Sequence, residues 1–292
     1  AERNDRLNDR LSYITNNFGS LLSYATRDHY LGFNYSETAK GWYYREWAPN
    51  AEALYLIGDF NGWDKTTHPL QKIDNGVWEV FLPDTKKGPL LKHESLVKVF
   101  VQSSSGGEDK IPAYIKRVVQ DETTHAFSGQ IWRPKTGFKW KKKKFVPAKT
   151  PIIYECHVGM AQEKEAMGSY KEFEENVLPR VIDLGYNTIQ IMAIMEHPYY
   201  GSFGYHVSNF FAASSKFGTP EDLKSLIQKA HDSGIAVIMD IVHSHAVKNT
   251  AEGLNEFDGS EDQYFHAGGR GNQDQWDSKL FNYRKEEVER FL

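Results

Sequence analysis

The sequence predicts two folds in series: an antiparallel β-sandwich behind a helical N-terminus, then the first three βα units of an incomplete (β/α)8 TIM barrel. Three observations predict it. Short alternating apolar runs broken by Asn-Gly and Gly-Gly signals fill residues 41–134, as in small antiparallel sandwiches. From residue 151 the texture changes to apolar runs separated by amphipathic helical segments, the alternation that builds a parallel sheet. Between the two lies a lysine-rich, proline-flanked stretch, 135–150, which reads as a basic linker. The expected domains are therefore a helical segment over 1–40, the sandwich over 41–134, the linker, and the barrel part over 151–292.

Composition narrows the function classes. With 40% hydrophobic and 25% charged residues the chain can bury a sizeable core, and a formal net charge of -4 makes nucleic acid an unnatural partner. A single cysteine, Cys156, excludes an intramolecular disulfide framework and suits a reducing compartment. No apolar run reaches the roughly 18 residues a membrane span needs. The chain begins at Ala1 rather than Met, so a removed leader or transit peptide stays open. The expectation is a cytoplasmic protein, plastidial if a transit peptide was removed, monomeric and without a cofactor.

In chain order, residues 1–24 carry Leu7, Leu11 and Ile14 at helical spacing and predict an amphipathic helix. The runs at 42–50, 53–63, 76–83 and 96–101 predict strands, with Asn61-Gly62 and Asn75-Gly76 as hairpin turns. Among Trp47, Trp63 and Trp78, Trp63 falls in a turn, where a large ring is expected to be exposed. An exposed flat ring suits the apolar face of a glucose unit, with Lys98 or Asn75 able to hydrogen-bond its hydroxyls; folding over the sandwich edge is the alternative. R-E-W-A-P-N-A, G-D-F-N-G-W and G-V-W-E in this order resemble carbohydrate-binding module family 48, the N-terminal module of glycogen and starch branching enzymes.

Past the linker, 152–159 reads as a strand ending in Glu155 and His157, 170–185 as a helix closed by Gly185, and 188–194 as a second strand. Residues 219–234 are a marked helix, with Thr219 as cap, Pro220 first, Asp222 third and Gly234 at the end. The next run, Ile235 to Met239, reads as a strand buried on both faces, and Asp240, His243 and His245 arrive where it emerges. In parallel α/β folds ligands bind at that end. Asp240 and His245 could hold a polar substrate such as a sugar, His243 and His245 could ligate a metal, or the two histidines could be structural.

The motifs Y-E-C-H-V-G-M, M-E-H-P-Y-Y-G-S-F-G-Y-H, S-S-K-F-G-T-P-E-D-L-K, M-D-I-V-H-S-H and D-Q-W-D-S-K-L-F-N-Y resemble glycoside hydrolase family 13, and within it the branching enzymes. The resemblance implies cleavage of an α-1,4 glucan and transfer of the chain to a 6-hydroxyl, forming α-1,6 branches in glycogen, amylose or amylopectin. It implies that Tyr205 stacks on the reacting glucose, that Asp240 supports the site and that His245 bonds its hydroxyls. It assigns Trp47, Pro49, Trp63, Asp74, Asn75 and Lys98 to a remote glucan-holding surface, to which Glu287 and Arg290 add polar contacts; an ordinary ion pair is the alternative for those two. Ser244 replaces the Asn that serves calcium in many amylases, which argues against a metal.

Retaining chemistry needs a nucleophilic carboxylate and an acid/base carboxyl about 5–5.5 Å apart. Asp240 with Glu196 or Glu155 is the direct nomination, since all three lie near strand ends. The family instead places its nucleophile in an Arg-x-Asp context after the fourth strand and its acid after the fifth, and neither motif occurs here. Both carboxylates are therefore expected beyond Leu292, with no catalytic residue inside this chain. A closed barrel takes about 250 residues, against about 140 after the linker. The expectation is an N-terminal part of a longer enzyme, inactive alone. A debranching or amylase-type hydrolase, a non-catalytic glucan-binding protein and, more distantly, a metal-dependent hydrolase remain as alternatives.

Overall fold

The computed structural model describes residues 2–141 and 144–292. Ala1, Lys142 and Lys143, which the sequence assigns to the first helix and the linker, lie outside them. Two helices open the chain, α1 (Glu2–Phe18) and α2 (Leu21–Ala25), the second capped by Ser20 Oγ accepting from Ser23 N at 3.0 Å. Of the predicted α1 stripe only Ile14 is buried; Leu7 and Leu11 face solvent.

Nine strands make the sandwich: β1 (Gly32–Ser36), β2 (Gly41–Trp47), β3 (Ala53–Gly58), β4 (Gln71–Asp74), β5 (Val77–Pro83), β6 (Leu96–Ser103), β7 (Gly106–Lys110), β8 (Val118–Gln120) and β9 (Phe127–Gln130). One sheet runs β1-β2-β5-β4 and the other β3-β6-β9-β8 with β7 on β6, all antiparallel. The first strand lies ahead of residue 41, where the sequence pattern changes. Alternation along β6 buries Val97, Val99 and Val101 and turns Lys98, Phe100 and Gln102 outward.

Of the two predicted hairpins, Asn75-Gly76 joins β4 to β5, with φ of 41° and 79° at its centre. A Cβ on Gly76 would sit 2.6 Å from Pro49 Cβ, so the turn and the 47–49 segment are locked together. Asn61-Gly62 is a turn but not a hairpin, because β3 and β4 belong to different sheets. Asn61 organises it: its Oδ1 accepts from Gly58 N at 3.0 Å while Nδ2 donates to Leu56 O, Asp64 O and Thr67 Oγ1.

The α/β half contains β10 (Ile153–Cys156), α3 (Tyr170–Glu172), a π turn (Phe173–Val177), α4 (Leu178–Asp183), β11 (Thr188–Ile191), α5 (Pro220–Asp232) and β14 (Ala236–Met239). Pro179 cannot donate to residue 175, and the wider turn before it absorbs the break. Helix α5 carries the expected capping box, with Thr219 Oγ1 and Asp222 satisfying each other's backbone N–H groups. The sheet order is β10-β11-β14, fully parallel. Within the span of this chain β14 is one edge of the three-stranded sheet, and its Ile238 and Met239 are 43% and 46% exposed.

Excursions from the strand ends add β12 (Met195–Glu196) with β13 (Asn209–Ala213), then β15 (His245–Val247), β16 (Asn272–Gln273) and β17 (Ser278–Leu280) in the order β15-β17-β16, and finally α6 (Glu286–Phe291). These build the junction with the sandwich. Leu254, Phe257, Tyr264, Phe265, Phe281 and Phe291 belong to the same buried cluster as Trp47, Leu54, Val99 and Tyr114. Leu292 packs half-buried against this cluster, its N–H donating to Val288 O at 3.2 Å as the last bond of α6. Polar links rim the junction: Asn50 N and Nδ2 both reach Asp258 Oδ2 at 3.0 Å, and Arg117 donates to Gly218 O at 3.1 Å. The linker is also docked, with Lys141 paired to Asp232 and the Phe145 ring stacked 4.2 Å from His231.

Candidate functional site

The site forms where β11 and β14 end. The parallel ladder runs one residue past β14, Asp240 N donating to Ile191 O at 3.0 Å, so the Asp240 carboxylate emerges at the carboxyl edge of the sheet. Its Oδ1 accepts from Gln190 Nε2 at 2.9 Å and its Oδ2 from Tyr205 Oη at 2.8 Å. Burial first, and then this charge-assisted bond, push the Tyr205 phenol up to about 12, so it is a hydrogen-bond donor at every ordinary pH. Gly204 permits the approach: φ is 89°, and a Cβ there would lie 1.7 Å from Ala193 O at the end of β11.

His245 closes the arrangement from β15. Its Nε2 is 3.0 Å from Tyr205 O and its Nδ1 2.8 Å from Ser244 Oγ. A carbonyl only accepts, so Nε2 carries the proton and Nδ1 accepts from the serine. Burial lowers the imidazole pKa, which keeps it neutral. Both ring nitrogens are thereby taken. His245 thus fixes the backbone of Tyr205. His243 lies outside β15, exposed, and among the described residues no group of three or more His, Cys, Asp or Glu is placed to hold a metal.

A cavity of about 540 Å³ opens here, lined by Ser202, Tyr205, His206, His245, Gln275, Trp276 and Asp277. That volume lies in the ordinary range for small-molecule sites.

The two carboxylates nominated with Asp240 behave differently. Glu196 is fully buried and has five donors on it. Oε1 accepts from His197 N (3.1 Å), Ser214 Oγ (3.0 Å) and Lys216 Nζ (3.3 Å), and Oε2 from Ser215 N (2.7 Å) and Ser215 Oγ (3.0 Å). It is a structural anion tying β12 to the 214–216 turn. Glu155 is exposed on β10. The Asp240 oxygens are both engaged, by Gln190 and Tyr205.

The remaining predicted positions divide between places. Trp63 is 36% exposed with a left-handed φ of 64°. Its turn is tied to the start of β6 by Asp59 Oδ2 accepting from Leu96 N at 2.8 Å, which puts it at the same end of the β3–β6 pair as Lys98. Pro49, Asp74 and Asn75 gather instead at the β4–β5 turn, in the other sheet, with Asp74 and Asn75 exposed. Trp47 is buried, its ring edge-to-face against Tyr264 with 5.3 Å between centroids. Glu287 and Arg290 lie 3.5 Å apart as an ion pair on α6. Glu287 takes two bonds of 2.9 Å from Arg27, and Arg290 donates to Tyr24 O with its guanidinium over Phe18, so both clamp the N-terminal helices to α6.

Comparison with known proteins matches residues 30–115 to carbohydrate-binding module 48 (isoamylase N-terminal domain) and residues 175–286 to the alpha amylase catalytic domain. The chain is 47% identical over 292 residues to a 1,4-alpha-glucan-branching enzyme of Dictyostelium discoideum, covering 99% of this chain and 43% of that protein. Over most of its length the chain is similar to 1,4-alpha-glucan-branching enzymes. A branching enzyme 2-2 of Arabidopsis thaliana, named chloroplastic/amyloplastic, is 50% identical over 277 residues, covering 94% of this chain and 34% of that one. The chain thus spans about two-fifths of the length of such branching-enzyme relatives. Among solved structures, a putative alpha amylase from Salmonella typhimurium superposes with a TM-score of 0.70 at 20% identity, covering 90% of this chain and 40% of that one. A pullulanase from Bacillus acidopullulyticus gives 0.69 at 22%, covering 89% and 35%. These likenesses establish the fold: a sandwich module followed by the start of the barrel.

Sequence reading missed Gln190, Gln275, Trp276 and Asp277 as members of this cluster. The signal available was the D-Q-W-D-S motif, but nothing in its spacing shows that it folds back onto His245.

Proposed function

We propose that the protein catalyses the reaction of a 1,4-α-glucan-branching enzyme, and that this chain supplies its glucan-holding parts. The observation that carries the reading is the Gln190–Asp240–Tyr205 network opening onto the 540 Å³ cavity at the carboxyl ends of β11 and β14. In this reading the Tyr205 ring receives a glucose unit, Asp240 orients the phenol, and His245 holds the Tyr205 backbone in place. Trp63 and Lys98 engage the glucan on one side of the sandwich, and Pro49, Asp74 and Asn75 form a second polar corner. The nucleophilic and acid/base carboxylates belong to the part of the branching enzymes that this chain does not span. The substrate is glycogen or starch glucan and the protein works as a cytoplasmic or plastidial monomer.

Linkage analysis of amylose treated with the full-length protein tests this. New α-1,6 linkages without net loss of glycosidic bonds support transfer to a sugar hydroxyl. Shortened α-1,4 chains with new reducing ends, and no α-1,6 linkages, overturn it in favour of hydrolysis. The 292-residue chain alone is expected to form neither product.

A further inference from the structure

Trp276 is 53% exposed at the tip of the β16–β17 hairpin, an unfavourable place for an indole. The tip is built rather than loose. β17 pairs on its other edge with β15, His245 opposite Leu280, so the hairpin and His245 share one sheet. Asp277, immediately after the ring, is held left-handed at φ 48° and is paired to Lys248 Nζ at 2.5 Å. The indole leans on His245, 5.2 Å between centroids, and lines the same cavity as Tyr205.

The chemistry of the lining selects the ligand. Ser202, His206, Gln275 and Asp277 set hydrogen-bonding groups around two aromatic faces, and among the described residues no lysine or arginine lines the cavity. A lining with no lysine or arginine and with the Asp277 carboxylate disfavours an anionic ligand, whereas a neutral ring with an apolar face and a hydroxyl rim finds both kinds of surface. We propose that Trp276 is a second sugar platform, taking the glucose unit next to the one on Tyr205, with Gln275 and Asp277 at its rim. This rests on the reading of the Tyr205–Asp240 cavity as a glucan site.

The test uses maltoheptaose and the full-length protein carrying Trp63→Ala, Lys98→Ala, Asp74→Ala and Asn75→Ala, which silences both proposed glucan surfaces of the module. Indole N–H signals of the remaining tryptophans are followed by NMR, with Trp276 assigned by its loss in Trp276→Phe. The Trp276 signal is expected to titrate with sugar. Trp276→Ala and Trp276→Leu should weaken binding about tenfold and Trp276→Phe much less, since the flat face is what matters, while thermal midpoints stay unchanged. If Tyr205→Ala or Asp240→Asn abolishes binding and Trp276→Ala leaves it intact, the second platform is refuted and the cavity reading stands. If no cavity substitution alters binding, or no binding remains once the module is silenced, the cavity reading falls and the platform with it.

Discussion

Glu196 gives the sharpest test of how this fold is held. The residue looks like a catalytic carboxylate in the sequence, yet the structure gives it five donors, no solvent exposure and a lysine whose side chain is 12% exposed. Replacing it by alanine leaves the largely buried Lys216 ammonium without its carboxylate and orphans the N–H groups of His197 and Ser215. Breaking such a pair from one side costs about 3–5 kcal/mol. Glu196→Gln keeps the volume but sets an amide N–H₂ against a donor at either oxygen, costing about 1–3 kcal/mol. Urea unfolding, monitored by tryptophan fluorescence and far-UV circular dichroism, measures both. Glu196→Met with Lys216→Met should recover much of the loss, because an apolar pair of similar volume removes the desolvation penalty. A loss below about 1 kcal/mol for Glu196→Ala, within the range of an ordinary surface change, would refute the reasoning. So would unchanged stability with abolished glucan binding, which would return Glu196 to the site.

Two further outcomes are expected. Glu46 is fully buried in the sandwich, its oxygens accepting from Tyr44 Oη, Ala113 N and Trp47 N, and burial outweighs these bonds to raise its pKa from 4.5 to about 7. Folding therefore takes up a proton between those values: this contribution to stability is fully present below about pH 4.5 and is lost as pH rises through 7. Urea midpoints measured from about pH 4.5 to 8 should show that slope in the wild type and lose it in Glu46→Gln; an unchanged slope would assign it to another group. Gly76→Ala meets both a left-handed φ of 79° and Pro49 at 2.6 Å, and should lower stability by about 1–3 kcal/mol. A neutral result in the same unfolding assay would show that the corner relaxes.

Sequence alone determined the elements whose causes are local. The Thr219–Asp222 box with Pro220, the glycine stops at 185 and 234, the Asn75-Gly76 hairpin and the alternation of β6 follow from periodicity and turn chemistry within a few residues. Tyr205, Asp240 and His245, which the motif resemblance singled out, converge in space. Tertiary structure decided what each of them does. Gln190 reaches Asp240 across 50 positions, Tyr205 reaches it across 35, and His245 reaches Tyr205 O across 40. Trp47 packs edge-to-face on Tyr264, and Glu287 is taken by Arg27 from 260 positions away. Periodicity tells a residue which face it lies on, not which distant group meets it there. That depends on strand register and on how the excursions after each strand close, and both are fixed only when the shared core between sandwich and barrel forms.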